Sequence, residues 1–107
     1  MDPRKKSDLE LKSQVFKALG HPTRLCIVEA LSKKEMCVNE ITELIGADMS
    51  TVSKHLSILK NAHIITDDKR GNQVYYSVKI ACVLNFLPCV ENVLREVAEG
   101  QRQWLKK

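Results

Sequence analysis

The side chains best suited to bind or react with a soft ligand are four cysteines, Cys26, Cys37, Cys82 and Cys89, in a chain of 107 residues. They form no C-x-x-C pair, and His21, His55 and His63 stand well away from the two carboxy-terminal cysteines, so the ligand spacing of a zinc finger is missing. Thiolates without histidine suit thiophilic ions such as trivalent arsenic or antimony, cadmium or lead. Two of them also suit a redox or persulfide signal that joins sulfur to sulfur. Cys37 directly precedes a helical pattern that starts at Val38, where the helix dipole stabilises a thiolate, although a simple capping or packing role fits the same position. Cys26 has apolar neighbours and no partner at helical spacing, and reads as a small core residue.

Cys82 and Cys89 are seven positions apart in ACVLNFLPCVENVL, residues 81–94. On a continuous helix they share a face, with Cα atoms ~10 Å apart along the axis from seven steps of ~1.5 Å. A disulfide needs ~7 Å or less, so a direct bond within a regular helix is excluded. Three arrangements are left open: Pro88 marks the first turn and Cys82 lies in an irregular lead-in that folds back towards Cys89; each cysteine meets its symmetry mate in a second copy; or both fill an apolar stripe.

Positioning such groups requires a fold, and the apolar periods predict one. Leu11, Val15, Ala18 and Leu19 predict a helix from about Ser7 to Leu19, ended by Gly20. Pro22 suits the first turn of a second helix with Leu25, Val28 and Leu31 inside, stopping near Ser32 and Lys33. Val38, Ile41, Leu44 and Ile45 predict a short third helix broken at Gly46. Asp48 is then the N-cap of a fourth with Val52, Leu56, Leu59 and Ala62 buried. The period next changes to that of two strands, His63 to Lys69 and Gln73 to Val78, around Arg70-Gly71-Asn72. A helical period returns from Ile80 to about Leu105, with Val83, Phe86, Leu87, Val90, Val93, Leu94 and Val97 as its stripe. The predicted fold is mainly α with a small β-hairpin: four helices, two strands and a last helix in a single domain over residues 1–107.

The fourth helix carries a second stripe opposite its core face, Ser50, Ser53, Lys54 and Ser57 at i, i+3, i+4 and i+7, with Met49 at the start, and Thr51 is a further candidate for DNA contact. Small hydroxyls and one lysine let a helix lie deep in a DNA major groove. A short helix, a three-residue break and this helix make a helix-turn-helix, and the hairpin beside it brings Lys69, Arg70 and Asn72 as a wing for phosphates or the minor groove. Asp67 and Asp68 reduce the wing's positive potential.

The formal charge of +4 permits an anionic partner without demanding one. Arg4, Lys5 and Lys6 are followed by a polar stretch and not by the apolar segment of a signal peptide. The longest apolar stretch, Ile80 to Val90, is interrupted by Asn85 and Pro88 and falls short of the ~20 residues a membrane-spanning helix needs. The expected location is the cytoplasm, without a membrane anchor, where thiols stay reduced.

KALGHPTRLCIVEAL, EMCVNEITELIG, STVSKHLSILKNAHI and DDKRGNQVYYSV resemble, in order and spacing, the signature blocks of the ArsR/SmtB winged helix-turn-helix repressors across roughly residues 15 to 78. The resemblance implies a homodimer joined through the first and last helices, a pseudo-palindromic double-stranded DNA operator, and repression relieved by an effector. By position, Met49, Ser50, Ser53 and Lys54 match the base-reading residues and Lys69, Arg70 and Asn72 the wing. Met49 stands where glutamine is frequent. Arsenic-sensing members have a cysteine where Cys37 lies, commonly with another two residues on, and Asn39 takes that second place. Zinc-binding members use carboxylates and histidines on the last helix, and this segment has no histidine.

The dimer has independent physical grounds, because an apolar last helix left bare in a monomer is an aggregation liability. A two-fold dimer also sets two reading helices ~34 Å apart, one turn of DNA. The resulting expectation is a DNA-binding repressor that requires no cofactor and is released by a thiophilic metalloid or soft metal such as arsenite, As(III) or Sb(III), through Cys82 and Cys89 with Cys37. A redox or persulfide signal, or purely structural cysteines, are the alternatives. A cysteine-dependent enzyme lacks its C-x-x-C pair, a histidine near a nucleophile and a Gly-rich cofactor loop.

Overall fold

A computed structural model describes the backbone of residues 1–105, and all side chains up to residue 101 except that of Val83. Helix α1, Pro3–Leu19, begins a turn earlier than its apolar stripe indicates. The Asp2 carboxylate accepts the Arg4 N–H at 3.2 Å, and Pro3 at the first position has no N–H to satisfy. Only its last residues, Ala18 and Leu19, are buried.

Helix α2, Pro22–Lys33, is capped by His21, whose Nδ1 accepts the Thr23 N–H at 3.1 Å. It buries Ile27, Val28 and Leu31, while Leu25 is half-buried. Cys26 is exposed, which corrects its assignment to the core. One residue along a helix is a rotation of ~100°, enough to carry Cys26 off the face that Ile27 occupies.

Strand β1, Met36–Cys37, runs directly into α3, Val38–Ile45, where Ile41 is buried and Leu44 lies exposed. Gly46 ends α3 at φ +77°, a left-handed conformation that glycine adopts without a Cβ clash. Helix α4, Met49–Asn61, buries Val52, Leu56 and Leu59, and Ala62 follows them into the core. His63, expected to open a strand, instead turns the chain at φ +64°, and β2 runs over Ile65–Arg70. Strand β3, Gln73–Val78, returns antiparallel to it.

The sheet has three strands in the order β1-β3-β2, with Met36 opposite Tyr76 and Cys37 opposite Tyr75. Two residues are too few to show an alternation, so β1 left no period to read. The core is one cluster drawn from α1 to α4 and the sheet, around Ile27, Val28, Ile41, Leu56, Leu59 and Ile64.

The last segment is not one helix from Ile80. Ala81–Phe86 forms a 3-10 helix, and α5 spans Leu87–Leu105 with Pro88 in its first turn. Proline lacks the N–H that a helix interior would use, so the α-helix restarts where that donor is unnecessary. Cys82 and Cys89 therefore lie on either side of a break at Pro88 and do not share one continuous helix. Leu84 packs against the core, whereas every residue from Pro88 to Gln101 is exposed.

Candidate nucleic-acid interface

Gly46, Ala47 and Asp48 form the break between α3 and α4, and the cap at Asp48 sets how α4 starts. The Asp48 carboxylate accepts the Thr51 N–H at 3.3 Å, the Thr51 hydroxyl at 2.6 Å and the Ser50 hydroxyl. These donors, Ser50 first, hold its pKa down to about 2, so it stays an anion at the helix N-terminus. Ser50 and Thr51 spend their hydroxyl protons on this cap.

Met49, Ser50, Thr51, Ser53, Lys54 and Ser57 are all exposed, and Ser50, Ser53, Lys54 and Ser57 lie on the side of α4 away from Val52, Leu56 and Leu59. The 3.6-residue period brings these four together as one face, with Met49 and Thr51 in the first turn at its margins. Among the described residues Ser53, Lys54 and Ser57 make no side-chain hydrogen bond or ion pair, so their polar groups are available to a ligand.

His55 points the other way. Its Nδ1 lies 3.2 Å from Arg24 Nη1, its ring centroid is 4.7 Å from that of His21, and Arg24 Nε donates to the Ala18 carbonyl at 2.6 Å. Arginine only donates, so His55 Nδ1 accepts. Burial, followed by the charges of His21 and Arg24, pushes the His55 pKa below the usual histidine value and keeps the ring neutral. This cluster ties the ends of α1 and α2 to the reading helix. The chain carries a local sign of it only in His21 before Pro22, a cap position.

The wing turns at Gly71, φ +64°, with Lys69 and Arg70 at the end of β2 and Asn72 beside them. Both aspartates that would offset its charge are paired. Asp67 accepts from Lys60 at 2.9 Å, which raises the lysine's pKa, and Asp68 accepts from Arg70 Nε at 3.0 Å. Arg70 also holds Glu35 with both terminal nitrogens, at 2.5 and 3.0 Å, and lies over the Tyr75 ring at 4.9 Å. Lys69 is exposed with no partner among the described residues.

The cysteines fall into two environments. Cys37 is 5% exposed at the N-cap of α3, where its N–H donates to Glu40 Oε1 at 3.1 Å. Hydrogen bonds from the Cys37 backbone and side chain lower the Glu40 pKa, so that thiol faces a carboxylate and not a cation. Cys82, in the 3-10 helix, and Cys89, at the third position of α5, are exposed and free. Among the described residues no three His, Cys, Asp or Glu side chains gather to hold a metal ion, so one protomer does not assemble Cys37, Cys82 and Cys89 into a site.

Residues 21–67 match the arsR family of bacterial regulatory proteins. The chain is 35% identical over 89 residues to the transcriptional repressor SdpR of Bacillus subtilis, covering 77% of this chain and 99% of that one. It is 38% identical over 86 residues to the cadmium resistance transcriptional regulatory protein CadC of Listeria innocua, covering 79% and 72%. In three dimensions it is similar to the homodimeric winged helix-turn-helix DNA-binding domain Mb0332 of Mycobacterium bovis, with a TM-score of 0.78, 28% identity and coverage of 94% and 93%. The outward stripe of α4, the adjoining wing and these likenesses agree: the chain belongs to the ArsR family of winged helix-turn-helix transcriptional regulators, which act on DNA and are not enzymes.

Proposed function

We propose that this protein is a dimeric transcriptional repressor that binds a pseudo-palindromic operator in the cytoplasm and leaves it when a thiophilic effector engages Cys82 and Cys89. The observation that carries this reading is the state of α5. Val90, Val93, Leu94 and Val97 are 42 to 61% exposed, and among the described residues the substantial contacts of α5 are with the 3-10 helix. The Phe16 and Phe86 rings, 6.2 Å apart, continue the same apolar surface onto α1. A second copy covers it. The homodimer that the Mycobacterium bovis domain is described as forming supports this assembly.

Two dimer-related α4 helices then face successive major grooves, with Met49, Ser50, Thr51, Ser53, Lys54 and Ser57 towards the bases and Lys69 and Asn72 on the flanking backbone. No helix among the described residues is long and apolar enough to cross a membrane, which is compatible with a freely diffusing regulator.

The effector chemistry follows from the donors. Cys82 and Cys89 are exposed thiols where the chain enters the dimer helix, and among the described residues no group of three or more His, Cys, Asp or Glu side chains that could hold a metal gathers around them. Soft trivalent arsenic or a soft divalent metal fits sulfur donors. The cadmium resistance named for the Listeria innocua relative supports the same class. Release requires differential affinity: an effector that bridges sulfurs has to favour a dimer whose reading helices no longer match the operator, and DNA binding then weakens by the same coupling free energy.

The test titrates arsenite, cadmium, zinc and a persulfide donor into the protein bound to its promoter DNA, with free thiols counted in parallel. Cys82→Ser with Cys89→Ser keeps operator binding and loses release. Ordinary release of that double variant returns both residues to a packing role.

A further inference from the structure

Arg70 is the most heavily engaged cation among the described residues, although it lies on the edge expected to face DNA. It uses three nitrogens on two carboxylates: Nη1 and Nη2 on Glu35 and Nε on Asp68. The guanidinium also stacks over Tyr75. Glu35 and Asp68 together raise its pKa, Glu35 first.

The topology gives these contacts a purpose. Arg70 ends β2, Glu35 immediately precedes β1, and β3 lies between them with Tyr75 opposite Asp68 on one side and Cys37 on the other. The side chain therefore crosses the width of the sheet, about two strand spacings of ~4.8 Å, and joins its two edges. Strand β1 continues without a break into α3, so the far end of this strap is anchored at the start of the helix-turn-helix. Residues 35 apart in sequence thereby link the wing to the start of the helix-turn-helix.

We propose that Arg70 is a wing-positioning residue held by Glu35, and that the wing's phosphate contact falls to Lys69, which has no competing anion among the described residues. For Arg70 to bind DNA it would exchange one bidentate anion for another, a carboxylate for a phosphate, and the wing would lose the strap that aims it. This inference rests on the DNA-binding reading.

Operator binding measured across a salt series tests both. Lys69→Ala removes one phosphate contact per protomer and lowers the slope of log affinity against log salt by about 1.8 for the dimer, from ~0.9 per contact. Glu35→Gln and Arg70→Lys, the second of which keeps the charge, each weaken binding by about 3- to 10-fold, and combining them adds little because both cut the same strap. The opposite sign overturns the proposal: if Arg70 grips phosphate, Glu35→Gln frees it and affinity rises, while Arg70→Lys binds like the wild type. An unchanged slope in Lys69→Ala overturns it as well. Failure of the reading beneath is separate, since wild-type binding would then show no steep salt dependence.

Discussion

Leu94→Ala removes a side chain that is 61% exposed in the protomer and lies in the middle of the α5 stripe. Full burial of a leucine side chain is favourable by about 1.5 to 3 kcal/mol. The share still open at Leu94 therefore contributes about 0.9 to 1.8 kcal/mol when a second copy covers it completely. A two-fold interface counts the residue twice, which gives about 2 to 4 kcal/mol, and at ~1.4 kcal/mol per tenfold the dimer dissociation constant rises by roughly 30- to 700-fold. Alanine is the strongest helix former, so α5 itself is not weakened. Sedimentation equilibrium from nanomolar to high micromolar protein measures the shift, with circular dichroism confirming unchanged helix content. A dissociation constant within threefold of the wild type would refute the assignment of this face to a dimer, as would a wild-type monomer at micromolar concentration.

Lys54→Ala leaves the dimer intact and lowers the salt slope of operator binding by about 1.8, two contacts of ~0.9 each. An equal slope places Lys54 off the DNA. A second expectation concerns pH. The folded pKa of His55 is depressed by burial and by the facing His21 and Arg24, so the unfolded chain binds its proton more readily. The stability from this neutral ring is complete above about pH 6.5, the ordinary histidine value, and is lost as pH falls through the lower folded value. His55→Asn keeps an acceptor for Arg24 and cannot titrate, so its melting temperature between pH 8 and 5.5 declines less than that of the wild type. Parallel declines sink the idea.

The helix-turn-helix was legible in the chain because its signals act over one to four residues. Asp48 caps α4 through Thr51 and Ser50, Gly46 closes α3 in the left-handed region, and Val52, Leu56, Leu59 and Ala62 recur at the helical period. Because the same period places the other side of α4 in solvent, its exposed stripe could be named from residue order alone. Cys26 went astray because composition around it is apolar on both sides, and only the packing angle of α2 decides which neighbour turns inward. The apolar stripe of the last segment runs through the 3-10 helix and α5 alike and so leaves a break at Pro88 open, and the backbone restarts at Leu87 to accommodate that proline.

The sequence by itself determined the order of elements, the caps, the exposed face of α4 and the family likeness, all of which depend on neighbours in the chain. Tertiary structure decided the rest. It added β1 to the sheet, joined His55 to Arg24 across 31 residues, and drew Arg70 to Glu35 across 35. It also left Cys37 buried with Cys82 and Cys89 exposed. A charged or polar side chain has no period that names its partner, and which carboxylate reaches Arg70 depends on three strands meeting side by side.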